Sequence, residues 1–163
     1  MLEDVSCFYF LGDVAISWNA KVLAAPSATA PGTIRVWHIA DDSDPAELHK
    51  LKLTPSSQNH MGEIAEGCAF SRDGDILVAS YRVVTPDKVS DWFKFASPFQ
   101  NVIRVWDPLL GTVKQTVQYG PEDGFSLYHL GSMDISPDGE TIAAVVGTTG
   151  DRFKPEIITW KLQ

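Results

Sequence analysis

Apolar residues in this chain recur at every second position over short runs, and clusters of Gly, Pro, Asp, Asn and Ser separate the runs. In GTIRVWHIA, Ile34 and Val36 alternate with Arg35 and Trp37; in NVIRVWDPLLG, Ile103 and Val105 alternate with Arg104 and Trp106. A period of two marks a strand whose two faces differ. The stretches ELHKLKL (47–53) and TVKQTVQ (112–118) alternate in the same way. No helical period persists over ten residues, so the pattern predicts an all-β chain.

The pattern repeats. Segments 9–25, 63–80 and 128–145 align on Ser17, Ser71 and Ser136. The first and third share Y-x-L-G-x-x-x-I-S, and the second and third share S-x-D-G followed by an acid. Each segment reads as two strands joined by a tight turn. Asp73-Gly74 and Asp138-Gly139 suit that turn, because Gly takes positive φ without strain and Asp bonds nearby backbone. The first copy has Asn19-Ala20 instead, and Ala suits positive φ poorly, so a looser turn is expected there. A third strand follows in each copy, carrying Trp37, Trp106 or Trp160, and 47–53 and 112–118 supply fourth strands. The units therefore span about 9–53, 63–118 and 128–163, each a four-stranded antiparallel sheet, with the last stopping after its Trp strand. Repeated units of this kind bury their faces against one another.

Composition narrows the function classes. The chain has 163 residues, 44% of them hydrophobic, which is enough for one domain with a core. Its net charge of −8 repels phosphate backbones, so nucleic acid is not an expected partner. No apolar stretch reaches membrane-spanning length, and the opening MLEDVSCFYFLGD has no Lys or Arg before its short apolar run, unlike a secretory signal. Cys7 and Cys68 lack C-x-x-C spacing and read as small apolar residues, so an intracellular setting, cytoplasmic or nuclear, is expected.

No motif for catalysis stands out. The chain lacks G-x-S-x-G, a P-loop and H-E-x-x-H, and His38, His49, His60 and His129 fall on different units without ligand spacing. The acids of DDSDPAE (41–47) do not fit an EF-hand loop and read as a solvated turn. No catalytic residue, metal or cofactor is expected. The informative departure is in the second unit, where Ser71 precedes Trp106 by 35 residues, against 20 and 24 in the other two. The insertion is placed at 83–101 and holds Trp92, Phe93, Lys94, Phe95 and Phe99. Aromatic loops on a rigid scaffold are common recognition elements, so these five are the candidate partner-binding residues; a small satellite core is the alternative.

The strings FSRDGDILVAS with IRVWDPLLGTVKQTV, and ISPDGETIAAV with IITWKLQ, resemble the WD-repeat β-propeller family. The resemblance implies blades whose third strand carries the Trp, with Trp37, Trp106, Asp107, Trp160, Asp73, Gly74, Asp138 and Gly139 as structural signature. The departures are several. The Trp-Asp dipeptide is intact only at Trp106-Asp107, no Gly-His pair precedes an inner strand, and Pro31, Gln100 and Lys154 replace the Asp found six residues before the Trp. The family's buried hydrogen-bond network is thus largely missing, and packing alone is expected to hold the blades. ISPDGETIAAV is also similar to repeats of lactonase-like and bacterial surface propellers.

Propellers usually have four to eight blades, so three cannot close a ring. Apolar faces would stay bare unless the chain is a piece of a longer propeller, here expected to be its C-terminal part, or assembles with copies of itself or with another chain; the remaining alternative is an unstable product of a truncated gene. The resemblance implies a noncatalytic scaffold that binds protein or peptide partners through blade loops. The alternative is a lactonase-like or oxidoreductase propeller with a metal or cofactor in its central channel, near Asp13, Glu66 and Asp134.

Overall fold

The computed structural model describes residues 13–27, 29–30, 32–39, 46–51, 62–84, 99–119, 128–148 and 155–163. Within them the chain forms strands β1 (Ala15–Ile16), β2 (Val22–Pro26), β3 (Ile34–His38), β4 (Ala46–Leu51), β5 (Gly62–Phe70) and β6 (Leu77–Val84). The remainder are β7 (Phe99–Asp107), β8 (Thr112–Tyr119), β9 (Tyr128–Ile135), β10 (Thr141–Thr148) and β11 (Pro155–Lys161). No helix occurs among the described residues.

The strands make three separate antiparallel sheets in chain order, β1-β2-β3-β4, β5-β6-β7-β8 and β9-β10-β11. Trp37, Trp106 and Trp160 each lie on the third strand of their own sheet. Three meanders stacked face to face are blades of a β-propeller, in an open arc rather than a closed ring.

The inner turn has the same chemistry in all three blades. The Ser hydroxyl donates to the Asx side chain two residues on: Ser17 to Asn19 (2.8 Å), Ser71 to Asp73 (2.6 Å) and Ser136 to Asp138 (2.5 Å). The same hydroxyl accepts from the amide five residues on, at Val22 (3.0 Å), Ile76 (3.0 Å) and Thr141 (2.9 Å). The residue after the Asx turns left-handed, with φ of 56° at Ala20, 83° at Gly74 and 74° at Gly139. The looser turn expected at Asn19-Ala20 is therefore corrected. Asn19 accepts from Lys21 N (3.0 Å) as Asp73 accepts from Asp75 N (3.2 Å), and this closes the turn although Ala bears a conformational cost of about 1–2 kcal/mol.

Strand alternation sends one set of side chains to each neighbouring blade. Ala24, Ile34 and Val36 of the first blade pack against Cys68, Leu77, Ala79, Tyr81 and Trp106 of the second. On the other face of the second blade, Val78, Ile103 and Val105 pack against Ile135, Ile142 and Ala144 of the third, with Trp160 alongside. Each such aliphatic side chain contributes about 1.5–3 kcal/mol when fully buried. The middle blade is thus covered on both faces.

The insertion is shorter than its expected span of 83–101. β6 continues through Val84 and β7 begins at Phe99, and Val84 pairs with Phe99. Val83, Gln100 and Asn101 accordingly sit on strands, and the connecting segment narrows to 85–98.

Candidate functional site

The residues singled out in the sequence divide into three groups. Trp92, Phe93, Lys94 and Phe95 lie outside the described residues. Phe99 is not a loop residue: its backbone opens β7. The signature residues are all described.

Asp107 shapes the β7–β8 turn. Its carboxylate accepts from Leu109 N (3.1 Å) and Leu110 N (2.9 Å) and faces Lys114 Nζ at 3.4 Å. The Leu110 amide, with help from Lys114 and the Leu109 amide, holds this carboxyl below the ordinary carboxylate range. His49 of the first blade reaches across to the same turn, donating from Nε2 to Leu109 O (2.6 Å). Gly74 and Gly139 serve two ends at once. Their left-handed backbone closes the turn, and each nests against the preceding blade, where a Cβ would lie 3.1 Å from Ser17 Cβ or 2.8 Å from Ile76 Cδ1. Trp160 meets Tyr119 edge to face at 5.5 Å, tying the third blade to the second.

Packing is not alone in holding the second blade, contrary to expectation. Arg104, only 4% exposed on β7, donates from Nη1 to Glu63 Oε2 (2.8 Å) and from Nη2 to Glu63 Oε1 (2.6 Å). Its guanidinium also lies 4.4 Å over the ring of Tyr81. Burial pushes the Tyr81 phenol up; Arg104 and Trp106 oppose that rise from nearby, though neither reaches the hydroxyl in hydrogen-bonding geometry. Gly32 of the first blade seals the pair: a Cβ there would sit 2.8 Å from Glu63 O. Sequence alternation places Arg104 on the same strand face as Trp106, the face that the first blade covers.

The inner acids do not converge. Asp13 and Asp134 are exposed, Asp134 accepts from Ile135 N (2.8 Å), and Glu66 pairs with Arg82. Among the described residues no three His, Cys, Asp or Glu side chains gather as metal ligands. Cys68 is buried with its thiol directed at Ala24 O (3.5 Å), and burial pushes that thiol up to about 12.

Among the described residues, the two end sheets leave apolar side chains exposed on their outward faces. On the outward face of the first blade, Val14 is 62% and Ile16 58% exposed, with Leu23, Ala25 and Trp37 half-buried beside them. By the turn alignment these positions match Cys68, Phe70, Leu77, Ala79 and Trp106 in the second blade and Met133, Ile135, Ile142, Ala144 and Trp160 in the third. Those ten all pack in the two inter-blade clusters. On the outward face of the third blade Ile157 is 75% exposed, with Ala143 and Thr159 on the same side. Their counterparts Ile34, Ala24 and Val36, and Ile103, Val78 and Val105, are buried.

No family model matches this sequence, and no curated protein matches it. Solved structures do. Acylaminoacyl peptidase from Pyrococcus horikoshii aligns over 93% of this chain at 16% identity and a TM-score of 0.49. A candidate 6-phosphogluconolactonase from Bacteroides fragilis aligns over 92%, also at 16% and 0.49. The β-propeller domain of the Trilobed protease from Pyrococcus furiosus aligns over 91%, at 13% identity and 0.44. The chain spans 23%, 38% and 39% of those three chains respectively, so it corresponds to a part of each.

Proposed function

We propose that the chain is a rigid, noncatalytic interaction platform of propeller type, which presents the aromatic segment 85–98 to a protein or peptide partner. One observation carries this reading. The segment springs from the two best-buried strands, where Tyr81 and Ile103 are 0% exposed and Val83 is 1% exposed. A loop rooted in strands this well packed is held at both ends, which lowers the ordering cost of binding. Trp92, Phe93 and Phe95 supply the anchors, and Lys94 supplies a charge for an acidic group on the partner.

The test is a pull-down with wild type and the Trp92→Ala/Phe93→Ala double variant. The reading predicts loss of a partner held by wild type, with an unchanged far-ultraviolet circular dichroism spectrum. Unfolding of the double variant would instead make the segment a satellite core. The second reading, a lactonase-like or oxidoreductase propeller, predicts a stoichiometric ion or cofactor in the purified protein, measurable by elemental analysis and absorption.

A further inference from the structure

Three polar atoms buried on one face of the second blade have no hydrogen-bond partner among the described residues: the Tyr81 hydroxyl, Arg104 Nε and Trp106 Nε1. We propose that they form a binding site for a single internal water, which accepts from Arg104 Nε and Trp106 Nε1 and donates to the Tyr81 oxygen.

The three side chains share a face. Leu77, Ala79 and Tyr81 alternate along β6 toward the first blade, and Trp106 joins them in the same cluster. Leu77 pairs with Trp106, Ala79 with Arg104 and Tyr81 with Val102, so in register Arg104 lies between Trp106 and Tyr81. The Arg104 guanidinium sits 4.4 Å over the Tyr81 ring. Burial pushes the Tyr81 phenol up, and Arg104 and Trp106 oppose that rise, which sets both beside the hydroxyl. The residue of β6 opposite Arg104 is Ala79, which offers only a methyl group, so no large side chain of that strand stands between Tyr81 and the Leu77–Trp106 pair. Tyr81 is 0%, Trp106 2% and Arg104 4% exposed, so bulk solvent does not serve these atoms.

Chemistry and charge select the ligand. Arg104 Nε and Trp106 Nε1 can only donate, and a buried donor left unpaired is costly, so the ligand is an acceptor. Both terminal nitrogens of Arg104 already engage Glu63, and that pair is neutral. A bound anion would bury one uncompensated negative charge there, whereas a neutral ligand buries none. Water is a neutral acceptor that also carries a proton for the Tyr81 oxygen, and buried waters typically make about three hydrogen bonds to otherwise unpaired groups. Held in this way, the water extends the Glu63–Arg104 pair to Trp106 and joins β5, β6 and β7 through one polar chain.

The experiment is nuclear magnetic resonance on the full isotope-labelled chain, with laboratory-frame and rotating-frame Overhauser spectra read at the water frequency. The Trp106 indole signal is assigned by its loss in Trp106→Phe. That indole proton is expected to show a water cross-peak of opposite sign in the two spectra, the mark of a held water rather than of proton exchange. Tyr81→Phe is expected to keep the cross-peak, because both donors remain; its loss there would mean relay through the phenol proton and overturns the inference. Relaxation dispersion of the water oxygen, which a phenol proton cannot mimic, is expected to show a long-lived water in wild type. A flat profile overturns the inference whether or not the variant folds. A wild-type protein without the cross-peak overturns it too: an indole shift that follows chloride concentration would then assign the site to a halide, and one that ignores it would assign direct contact between Trp106 and Tyr81.

Discussion

Arg104 and Glu63 form a two-pronged ion pair across the face of the second blade, with side chains 5% and 18% exposed. The pair spans β7 and β5, bridging over β6 and the Tyr81 ring, so one guanidinium braces three strands. A buried charge that loses its partner is costly, by about 3–5 kcal/mol. Glu63→Gln is therefore expected to destabilise the protein by that order. The double variant Glu63→Leu/Arg104→Met, which removes both charges, is expected to lose much less. Urea titrations of the single and double variants check the difference, and equal losses in both would contradict the pairing.

Ala20 is the one residue other than glycine with positive φ among the described residues, at 56°. A left-handed conformation costs a side chain about 1–2 kcal/mol, and glycine largely escapes this. Ala20→Gly is thus expected to stabilise the chain by about 0.5–1 kcal/mol, while Gly74→Ala, strained by φ and crowded by Ser17, destabilises it. Thermal melts of the two variants should move in opposite directions.

The turns also set an acid limit. The Ser71 hydroxyl, then the Asp75 amide, hold the Asp73 carboxyl below its usual 3.8; Ser136 and the Glu140 amide do the same for Asp138. A carboxyl lowered in the folded state adds stability above its unfolded value, and that stability is lost as pH falls through the folded value. Melting temperature should therefore hold above about pH 4 and fall below it. The first blade makes the same turn with Asn19, which does not titrate. Replacing Asp73 and Asp138 with Asn should flatten the acid limb, and an unchanged limb would assign it to other carboxyls.

Cys68 combines burial with a thiol pushed up to about 12, so it carries little thiolate at pH 8. In a Cys7→Ser background, dithionitrobenzoate is expected to label Cys68 only on unfolding in urea. Stoichiometric labelling of the native protein would mean that the first two blades part readily.

Much of the fold was legible because strand alternation and turn chemistry are local. Asp73-Gly74 and Asp138-Gly139 announce their turns, and the Ile-Arg-Val-Trp strings announce a third strand with two unlike faces. Asn19-Ala20 misled because residue preference at the left-handed position is a tendency, and the Ser17–Asn19 hydrogen bond outweighed it. The burial of Arg104 was not legible in the sequence, because it depends on the first blade, whose Gly32 approaches Glu63 through a contact between residues distant in sequence. The aromatic residues 92–95 carry a compositional signal only, with no pairing partner written beside them, so their role is the part least readable from the chain.

The account depends on three separate sheets stacked face to face, with the middle one covered on both sides. Native-state hydrogen exchange followed residue by residue tests this most directly. Amides of β6 and β7 from Leu77 to Val83 and from Val102 to Trp106 should exchange slowest, near the rate set by global unfolding, with β8 and β11 faster. Middle-blade amides that exchange as fast as those of the edge strands β4, β8 and β11 would contradict the stack.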